Sequence, residues 1–185
     1  ARTKFKNLYL IPASINLAGV DMELMEMSRN NPEFVPQLQL KKYLGEIKEV
    51  FDYIILDCPP SLGLITTNAL AASNSVIIPV QCEFYALEGL SQLLSTIRLV
   101  QKHLNKNLAI DGVLLTMFDA RTNLGIQVIE EVKKYFQDKV YKTIIPRNVR
   151  LSEAPSHGEP IIIYDPKSRG AEVYLELAKE VIRNG

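Results

Sequence analysis

Residues 51–61 read FDYIILDCPPS, and this stretch decides the fold. An apolar run at 53–56 precedes a single acid, Asp57, and then two prolines. A short, continuous apolar run of this kind is typical of a strand that is buried on both faces of a parallel sheet. The prolines end such a strand and stiffen the loop beside the acid. The stretch therefore predicts a parallel α/β sheet with Asp57 at the carboxyl end of a buried strand.

The position of Asp57 allows two roles. Ligands of open α/β sheets bind outside the carboxyl ends of the strands. A carboxylate there can hold Mg²⁺, directly or through water, beside the phosphates of a nucleotide. The simpler alternative is that Asp57 caps the helix that follows. The motif alone leaves both roles open.

Hydrophobic periodicity extends this prediction along the chain. Apolar residues at spacings of three and four predict helices, and short apolar runs predict strands. Because the predicted strands alternate with helices of ten or more residues, we expect an α/β fold: a mostly parallel sheet with helices on both faces. Without an internal repeat or a linker, residues 1–185 are predicted to form a single domain. The predicted strands are 7–12, 53–56, 75–79, 110–117 and 140–145, and the predicted helices lie within 13–27, 36–50, 62–72, 90–104, 128–136 and 174–182.

Composition narrows the functional classes. The chain has 21 basic and 21 acidic residues, so any binding to nucleic acid must depend on a local patch and not on bulk charge. No apolar run approaches the roughly 18–20 residues of a membrane span, and the basic start lacks the apolar stretch of a signal peptide. Cys58 and Cys82 form neither a zinc pattern nor a disulfide framework. We interpret both as small buried residues and expect a cytoplasmic location.

One motif is missing from the printed sequence. None of the nine glycines precedes a lysine, and GxxxxGK[ST] does not occur. P-loop proteins need that loop because its backbone N–H groups and its lysine hold the phosphates.

Residues 51–64 (FDYIILDCPPSLGL) and 79–89 (PVQCEFYALEG) closely resemble the ParA/Soj family of partitioning ATPases. The resemblance implies a doubly wound, P-loop NTPase-like fold, with ATP and Mg²⁺ as cofactors. It implies that Asp57 is the catalytic Walker B acid and the magnesium ligand, acting through water. In the family the P-loop precedes the matched region. We therefore expect a fragment: the carboxyl-terminal two-thirds or so of a ParA-like ATPase domain, incomplete at the amino end and inactive in ATP hydrolysis alone.

Residues 144–155 (IIPRNVRLSEAP) form a second motif. By pattern alone it indicates a strand, a proline turn and a capped helix. In ParA-like proteins the matching Pro-Arg-Asn lies against adenine, which here implies nucleotide contacts by Pro146, Arg147 and Asn148. A proline face suits a flat base, and the strand end at Met117 is expected to provide a second wall. Since the Asn-Lys-x-Asp pattern of guanine-specific relatives is absent, adenine is the expected base.

Basic residues form the third feature. Without a recognition helix or an aromatic platform, the expected DNA contact is to phosphate and carries no sequence information. The pattern alone favours an ordinary solvated basic face. The resemblance favours DNA, because ATP-bound ParA dimers bind DNA nonspecifically through scattered basic residues. The predicted contacts are Arg121, Arg150, Lys167 and Arg169.

Residues 81–89 have two interpretations of equal weight. They form either a plain loop between a strand and a helix or a surface that meets a second subunit across ATP.

The resemblance predicts a complete function. A ParA/Soj-type ATPase segregates chromosomes or plasmids as an ATP-dependent homodimer on nonspecific double-stranded DNA, and a ParB-type protein stimulates its hydrolysis. Such a protein is nucleoid-associated and needs no membrane. One alternative is a MinD-like regulator of division-site placement on the membrane, although residues 178–185 add no lipid-seeking helix. Another is a DNA-binding scaffold without catalysis.

Overall fold

The computed structural model describes residues 1–83 and 86–184, and its chain forms two compact units. The first unit is Ala1–Ser73, and the second begins at Asn74. Each unit has its own internal contacts and its own part of the predicted site. The single domain expected from the sequence stays a prediction.

The first unit is helical. Its helices are α1 (Val20–Asn30), α2 (Gln39–Gly45) and α3 (Leu64–Ala72), with 3₁₀ turns at Ile15–Gly19, Pro36–Leu38 and Lys48–Val50. A buried side chain, Asn68 of α3, fastens these elements together. Its amide nitrogen donates to the Pro36 carbonyl at 2.9 Å, and its amide oxygen accepts from the Leu40 N–H at 3.1 Å. A buried amide that satisfies both of its ends in this way holds α3 against the 3₁₀ turn Pro36–Leu38 and the start of α2.

Two predicted strands of the first unit are wrong. Residues 53–56 form no strand, and Ile55 is 89% exposed. Residues 7–12 contribute only one antiparallel bridge, between Tyr9 and Arg2. The physical reason is the same for both segments. A strand needs a neighbour for its N–H and C=O groups, and none of the described residues forms a ladder with either segment.

The second unit contains the sheet. Strands β1 (Ser75–Gln81) and β2 (Ala109–Thr116) are parallel, with Ile78 opposite Val113 and Val80 opposite Leu115. Residues opposite each other point to the same face, so these four side chains form one buried layer. Burying each of them contributes about 1.5–3 kcal/mol, which explains why these apolar runs become strands. The structure confirms both strands and the parallel α/β fold predicted from the sequence.

Helices cover this sheet. Leu114, on the opposite face of β2, packs in one cluster with Val173, Leu177 and Val181 of the last helix. The 3–4 spacing of apolar residues correctly predicted the three longest helices. The helices of this unit are α4 (Ala86–His103), α5 (Asn123–Phe136), α6 (Val149–Glu153), α7 (Ile161–Tyr164) and α8 (Arg169–Asn184), with 3₁₀ turns at Gln137–Lys139 and Ala154–His157.

The predicted strand at 140–145 forms only in part. It meets β2 at one isolated parallel bridge, Val140 with Val113, and a second parallel bridge joins Pro146 to Phe118 just beyond the two segments. Between the bridges, the carboxylate of Glu180 in α8 accepts the N–H groups of Lys142 and Thr143 at 2.7 and 3.0 Å. Because these two N–H groups donate to Glu180, they form no backbone hydrogen bonds to β2, and the strand ladder is interrupted at that point.

Close packing at Gly112 predicts a large loss of stability in the variant Gly112→Ala. A Cβ at this position would lie 2.7 Å from a Tyr141 ring carbon and 2.9 Å from the Lys139 carbonyl oxygen. Backbone cannot move aside as a flexible side chain does, so we expect a loss of about 1–3 kcal/mol in the free energy of unfolding. Urea denaturation measures it.

Gly89 in α4 is the matched control, because a Cβ there meets nothing within 4 Å. Gly89→Ala should be neutral or stabilising, by up to about 1 kcal/mol. Equal effects of the two alanine substitutions would contradict the packing described at Gly112.

Candidate functional site

The carboxyl ends of β1 and β2 carry most of the predicted nucleotide motif. The Cys82 N–H donates to the Thr116 carbonyl at 3.0 Å, which extends the pairing one residue beyond β1. Beyond β2, the Phe118 N–H donates to the Ile145 carbonyl at 3.1 Å, and the Arg147 N–H donates to the Phe118 carbonyl at 2.8 Å. These bonds hold residues 145–147 at the carboxyl end of the sheet, where ligands of parallel α/β sheets bind.

Met117 directly follows β2 at the same end of the sheet and has an unusual backbone conformation. Its φ of 55° is left-handed, and 36% of its surface is exposed. A non-glycine residue in this region is uncommon and costs of order 1 kcal/mol or more. The turn carries the chain from β2 into the Phe118–Pro146 bridge, so Met117 lies next in sequence to the residue that pairs with Pro146. A nucleotide site formed by Met117, Pro146, Arg147 and Asn148 stays a prediction.

Asn148 has a structural role of its own. Its side-chain oxygen accepts the N–H groups of Arg150 and Leu151 at 2.8 and 3.3 Å, which makes it the N-cap of α6. An N-cap of this kind is worth about 1 kcal/mol. The capped helix predicted after the proline turn is therefore confirmed, while contact between Asn148 and a nucleotide stays a prediction.

Arg147 joins two segments that are distant in sequence. One of its terminal nitrogens lies 2.6 Å from a carboxylate oxygen of Glu83, and both side chains are about half exposed. Glu83 belongs to the segment 81–89, which was predicted to be either a plain loop or a subunit-facing surface. Phe84 and Tyr85 of that segment lie outside the described residues, and the choice between the two interpretations stays open.

The four basic residues predicted to bind DNA are all in the second unit, and three of them are paired with acids. Arg121 lies 2.6 Å from Asp119, Arg150 lies 2.9 Å from Glu153, and Arg169 lies 2.6 Å from Glu172. Arg150 also lies 3.5 Å from Asp165, which connects the start of α6 with the loop that carries Lys167 and leads into α8 at Arg169. Lys167 is exposed and forms no ion pair with a described residue.

Hydrogen bonds from the arginines lower the pKa of two of these carboxyl groups, Asp119 and Glu153. Those from the Arg121 side chain and backbone hold the pKa of Asp119 well below its usual range. The Arg150 side chain, and then the Tyr164 hydroxyl, lower the pKa of Glu153. Both acids are therefore negatively charged around neutral pH.

Asp57 lies in the first unit, in an irregular exposed segment and not at a strand end. Among the described residues no cation is paired with it, and no group of three His, Cys, Asp or Glu side chains is placed to hold a metal ion. A single free carboxylate fits Mg²⁺, which commonly takes one or two carboxylates and otherwise water and phosphate oxygens.

The two cysteines differ from each other. Cys82 is buried as predicted, but Cys58 is exposed, so its predicted burial is wrong. The physical reason is that Cys58 follows the segment that forms no strand.

Sequence reasoning missed the acidic partners of the basic residues. Two of them were detectable, because Glu153 and Glu172 each follow their arginine by three residues on a helix, a spacing at which side chains meet. No local signal links Glu83 to Arg147, which is 64 residues away. It also missed Asp21, whose Oδ1 atom is buried without a hydrogen-bond partner among the described residues.

Comparison with known proteins gives the family. The AAA_31 family model, described as an AAA domain, matches residues 1–110. The chain is 70% identical over 183 residues to the sporulation initiation inhibitor protein Soj of Bacillus subtilis, covering 99% of this chain and 70% of that protein. It is 53% identical over 181 residues to the chromosome partitioning protein ParA of Myxococcus xanthus, covering 98% of this chain and 62% of that protein.

A solved structure has the same fold. Cobyrinic acid a,c-diamide synthase from Mycobacterium smegmatis, with bound ADP and magnesium, superposes with a TM-score of 0.75 at 35% identity. The match covers 93% of this chain and 61% of that one. In the part of this chain that the structure describes, no helix is long and apolar enough to cross a membrane. By its identity to Soj and ParA over nearly its whole length, this chain belongs to the Soj/ParA family of chromosome-partitioning ATPases.

Proposed function

We propose that this chain is the adenine- and DNA-binding part of a chromosome-partitioning ATPase that works as an ATP-dependent dimer. The observation that carries the proposal is the attachment of residues 145–147 to the end of β2, in a chain 70% identical to Soj. The chain spans 70% of the length of Soj and 62% of that of ParA, and the ATPase activity is proposed for a protein that also contains a P-loop.

The adenine base is proposed to lie against Pro146, with Met117 as the opposite wall. Pro146 is half-buried and Met117 is exposed, so each offers apolar surface to a flat ring. The Arg147 N–H already donates to Phe118, which leaves the neighbouring main-chain groups to read the amino edge of the base. The side-chain oxygen of Asn148 is occupied as an N-cap, so only its amide N–H₂ is available to a nucleotide.

Asp57 is the residue proposed to hold Mg²⁺, directly or through a water molecule. When bound, the metal ion neutralises charge on the phosphates that are transferred or released. The exposed carboxylate of Asp57 supplies the negative charge that attracts the ion. The catalytic role of Asp57 depends on a P-loop to grip the phosphates, which is why the 185-residue chain alone is proposed to be inactive.

Double-stranded DNA is the proposed macromolecular ligand, held through its phosphates by Arg121, Arg150, Lys167 and Arg169. All four side chains are exposed, as contact with phosphate requires. A ParB-type protein is the proposed activator of hydrolysis, and the nucleoid is the proposed location. The family supports these three assignments, and the exposure of the four basic side chains supports the assignment of DNA.

The test uses a P-loop-completed protein, defined as this chain preceded by a P-loop segment from a Soj relative. We expect Mg²⁺-ATP to produce binding to DNA duplexes of unrelated sequence, while ADP and GTP do not. Fluorescence anisotropy of labelled duplexes measures it, with light scattering to follow dimer formation. Equal binding with GTP would contradict the proposed adenine site, and dimer formation without DNA binding would contradict the proposed DNA surface.

A further inference from the structure

The arginines that are proposed to contact DNA are ion-paired with acidic side chains. The contact at Arg121 is the most complete. Its Nε and a terminal nitrogen donate to the two carboxylate oxygens of Asp119 at 2.9 and 2.6 Å, and its backbone N–H donates to the same carboxylate at 3.0 Å. One edge of this guanidinium, formed by Nε and a terminal nitrogen, is therefore engaged before any phosphate arrives.

The same arrangement recurs at the start of α6 and of α8. Arg150 lies between two carboxylates, Glu153 at 2.9 Å and Asp165 at 3.5 Å. Arg169 lies 2.6 Å from Glu172. Lys167, exposed between these pairs, has no acidic partner among the described residues. Three of the four proposed DNA contacts are thus neutralised by a neighbouring acid.

Phosphate must compete with these acids. Ion pairs between exposed side chains are weak, and an arginine can exchange its carboxylate for a phosphate of similar geometry. After the exchange, the released carboxylate lies within a few ångströms of the phosphate and repels it. Both effects lower the affinity for duplex DNA without removing any basic residue.

We propose that Asp119, Glu153, Asp165 and Glu172 form an acidic screen over the basic surface of Arg121, Arg150, Lys167 and Arg169. This screen holds the affinity of the surface for DNA phosphate below the value that its arginines would give alone. The inference rests on the proposed DNA function and adds the residues that limit it. Because the hydrogen bonds from Arg121 keep the pKa of Asp119 low, the screen stays charged around neutral pH.

Amide substitutions test the screen. Asp119→Asn keeps the oxygen that accepts the Arg121 N–H, and asparagine forms the same kind of turn. Glu153→Gln keeps an acceptor for the Tyr164 hydroxyl. In the P-loop-completed protein with Mg²⁺-ATP, each is expected to tighten binding to duplexes of any sequence about two- to fivefold, the range that weak exposed pairs allow. Anisotropy titrations at several salt concentrations measure it.

Glu130→Gln is the control, since Glu130 is an exposed acid of α5 without an ion pair among the described residues. It changes the net charge by the same amount as Asp119→Asn. A gain for Asp119→Asn that exceeds that of Glu130→Gln, and that disappears when Arg121→Ala is added, supports the screen. Equal gains in affinity for Asp119→Asn and Glu130→Gln overturn the screen. A gain for Asp119→Asn that survives the addition of Arg121→Ala overturns it as well.

Failure of the screen and failure of the DNA function give different results. If Arg121→Ala weakens DNA binding while Asp119→Asn has no effect, the DNA surface stands and the screen is wrong. If neither Arg121→Ala nor Arg150→Ala changes binding, the proposed DNA surface is wrong and the screen falls with it.

Discussion

Asp57→Ala in the P-loop-completed protein is expected to lower the rate of Mg²⁺-ATP hydrolysis by about a hundredfold or more. Loss of one group that stabilises the charge of a transition state typically costs about 10²–10³ in kcat, and the metal ion is the largest such charge in phosphoryl transfer. Asp57 is the exposed carboxylate proposed to hold that ion. Phosphate release at steady state, measured over a range of Mg²⁺ concentrations, gives the rate and its dependence on the metal.

Asp52→Ala is the matched control, because Asp52 is an exposed aspartate five residues earlier in the same segment. It should leave hydrolysis within about twofold of the unsubstituted protein, as surface substitutions away from a site usually do. Adenine binding, followed with a fluorescent ATP analogue, should survive Asp57→Ala. Unchanged turnover in Asp57→Ala would make Asp57 a structural residue. Hydrolysis by the 185-residue chain alone, abolished by Asp57→Ala, would show that no P-loop is needed.

The sequence predicted the second unit better than the first, and the difference is instructive. Residues 75–79, 110–117 and 53–56 are all short apolar runs, and the pattern treats them alike. The first two became β1 and β2 because each provides the other's hydrogen-bond partner. The run at 53–56 has no ladder among the described residues and remains irregular. Strand formation depends on a neighbour, and a local pattern contains no information about the neighbour.

Helices were predicted more reliably because their evidence is local. The apolar positions of α4 and α5 repeat at three and four residues, and the hydrogen bonds of a helix lie within the same segment. Their ends were predicted less well: α3 begins at Leu64 within the predicted 62–72, and α1 covers Val20–Asn30 where 13–27 was predicted. Boundaries of this kind depend on caps, and Gly63 offers no side chain for one.

The candidate site shows the same limit at the level of side chains. The order of residues in the 144–155 motif correctly predicted a turn and a capped helix, because the asparagine cap lies within the motif. The partner of Arg147 could not be predicted, since Glu83 reaches it only through the fold. The charges of Arg121, Arg150 and Arg169 were evident in the sequence, whereas their ion pairs with Asp119, Glu153 and Glu172 were missed. The proposed limit on DNA affinity depends on these ion pairs.

Arg121→Ala and Arg150→Ala are each expected to weaken binding of the P-loop-completed protein to any duplex by about tenfold or more. Each arginine that neutralises a phosphate releases counterions from DNA, so its loss should flatten the dependence of log affinity on log salt by about 0.9. A dimer loses two contacts for each substitution, which raises the expected change in slope to about 1.8. The measurement is a DNA titration at several salt concentrations with Mg²⁺-ATP present.

Arg98→Ala provides the control for these two arginines. Arg98 is an exposed arginine of α4 whose side chain contacts the Tyr135 hydroxyl at 3.4 Å, and its loss changes the net charge by the same amount. It should leave the salt slope unchanged, because a general change in charge without a phosphate contact releases no further counterions. ATP-dependent dimer formation, followed by size-exclusion chromatography, should survive all three substitutions. Unchanged affinity and slope for Arg121→Ala and Arg150→Ala would make this an ordinary solvated basic face, whereas loss of the dimer would place these arginines at the subunit interface.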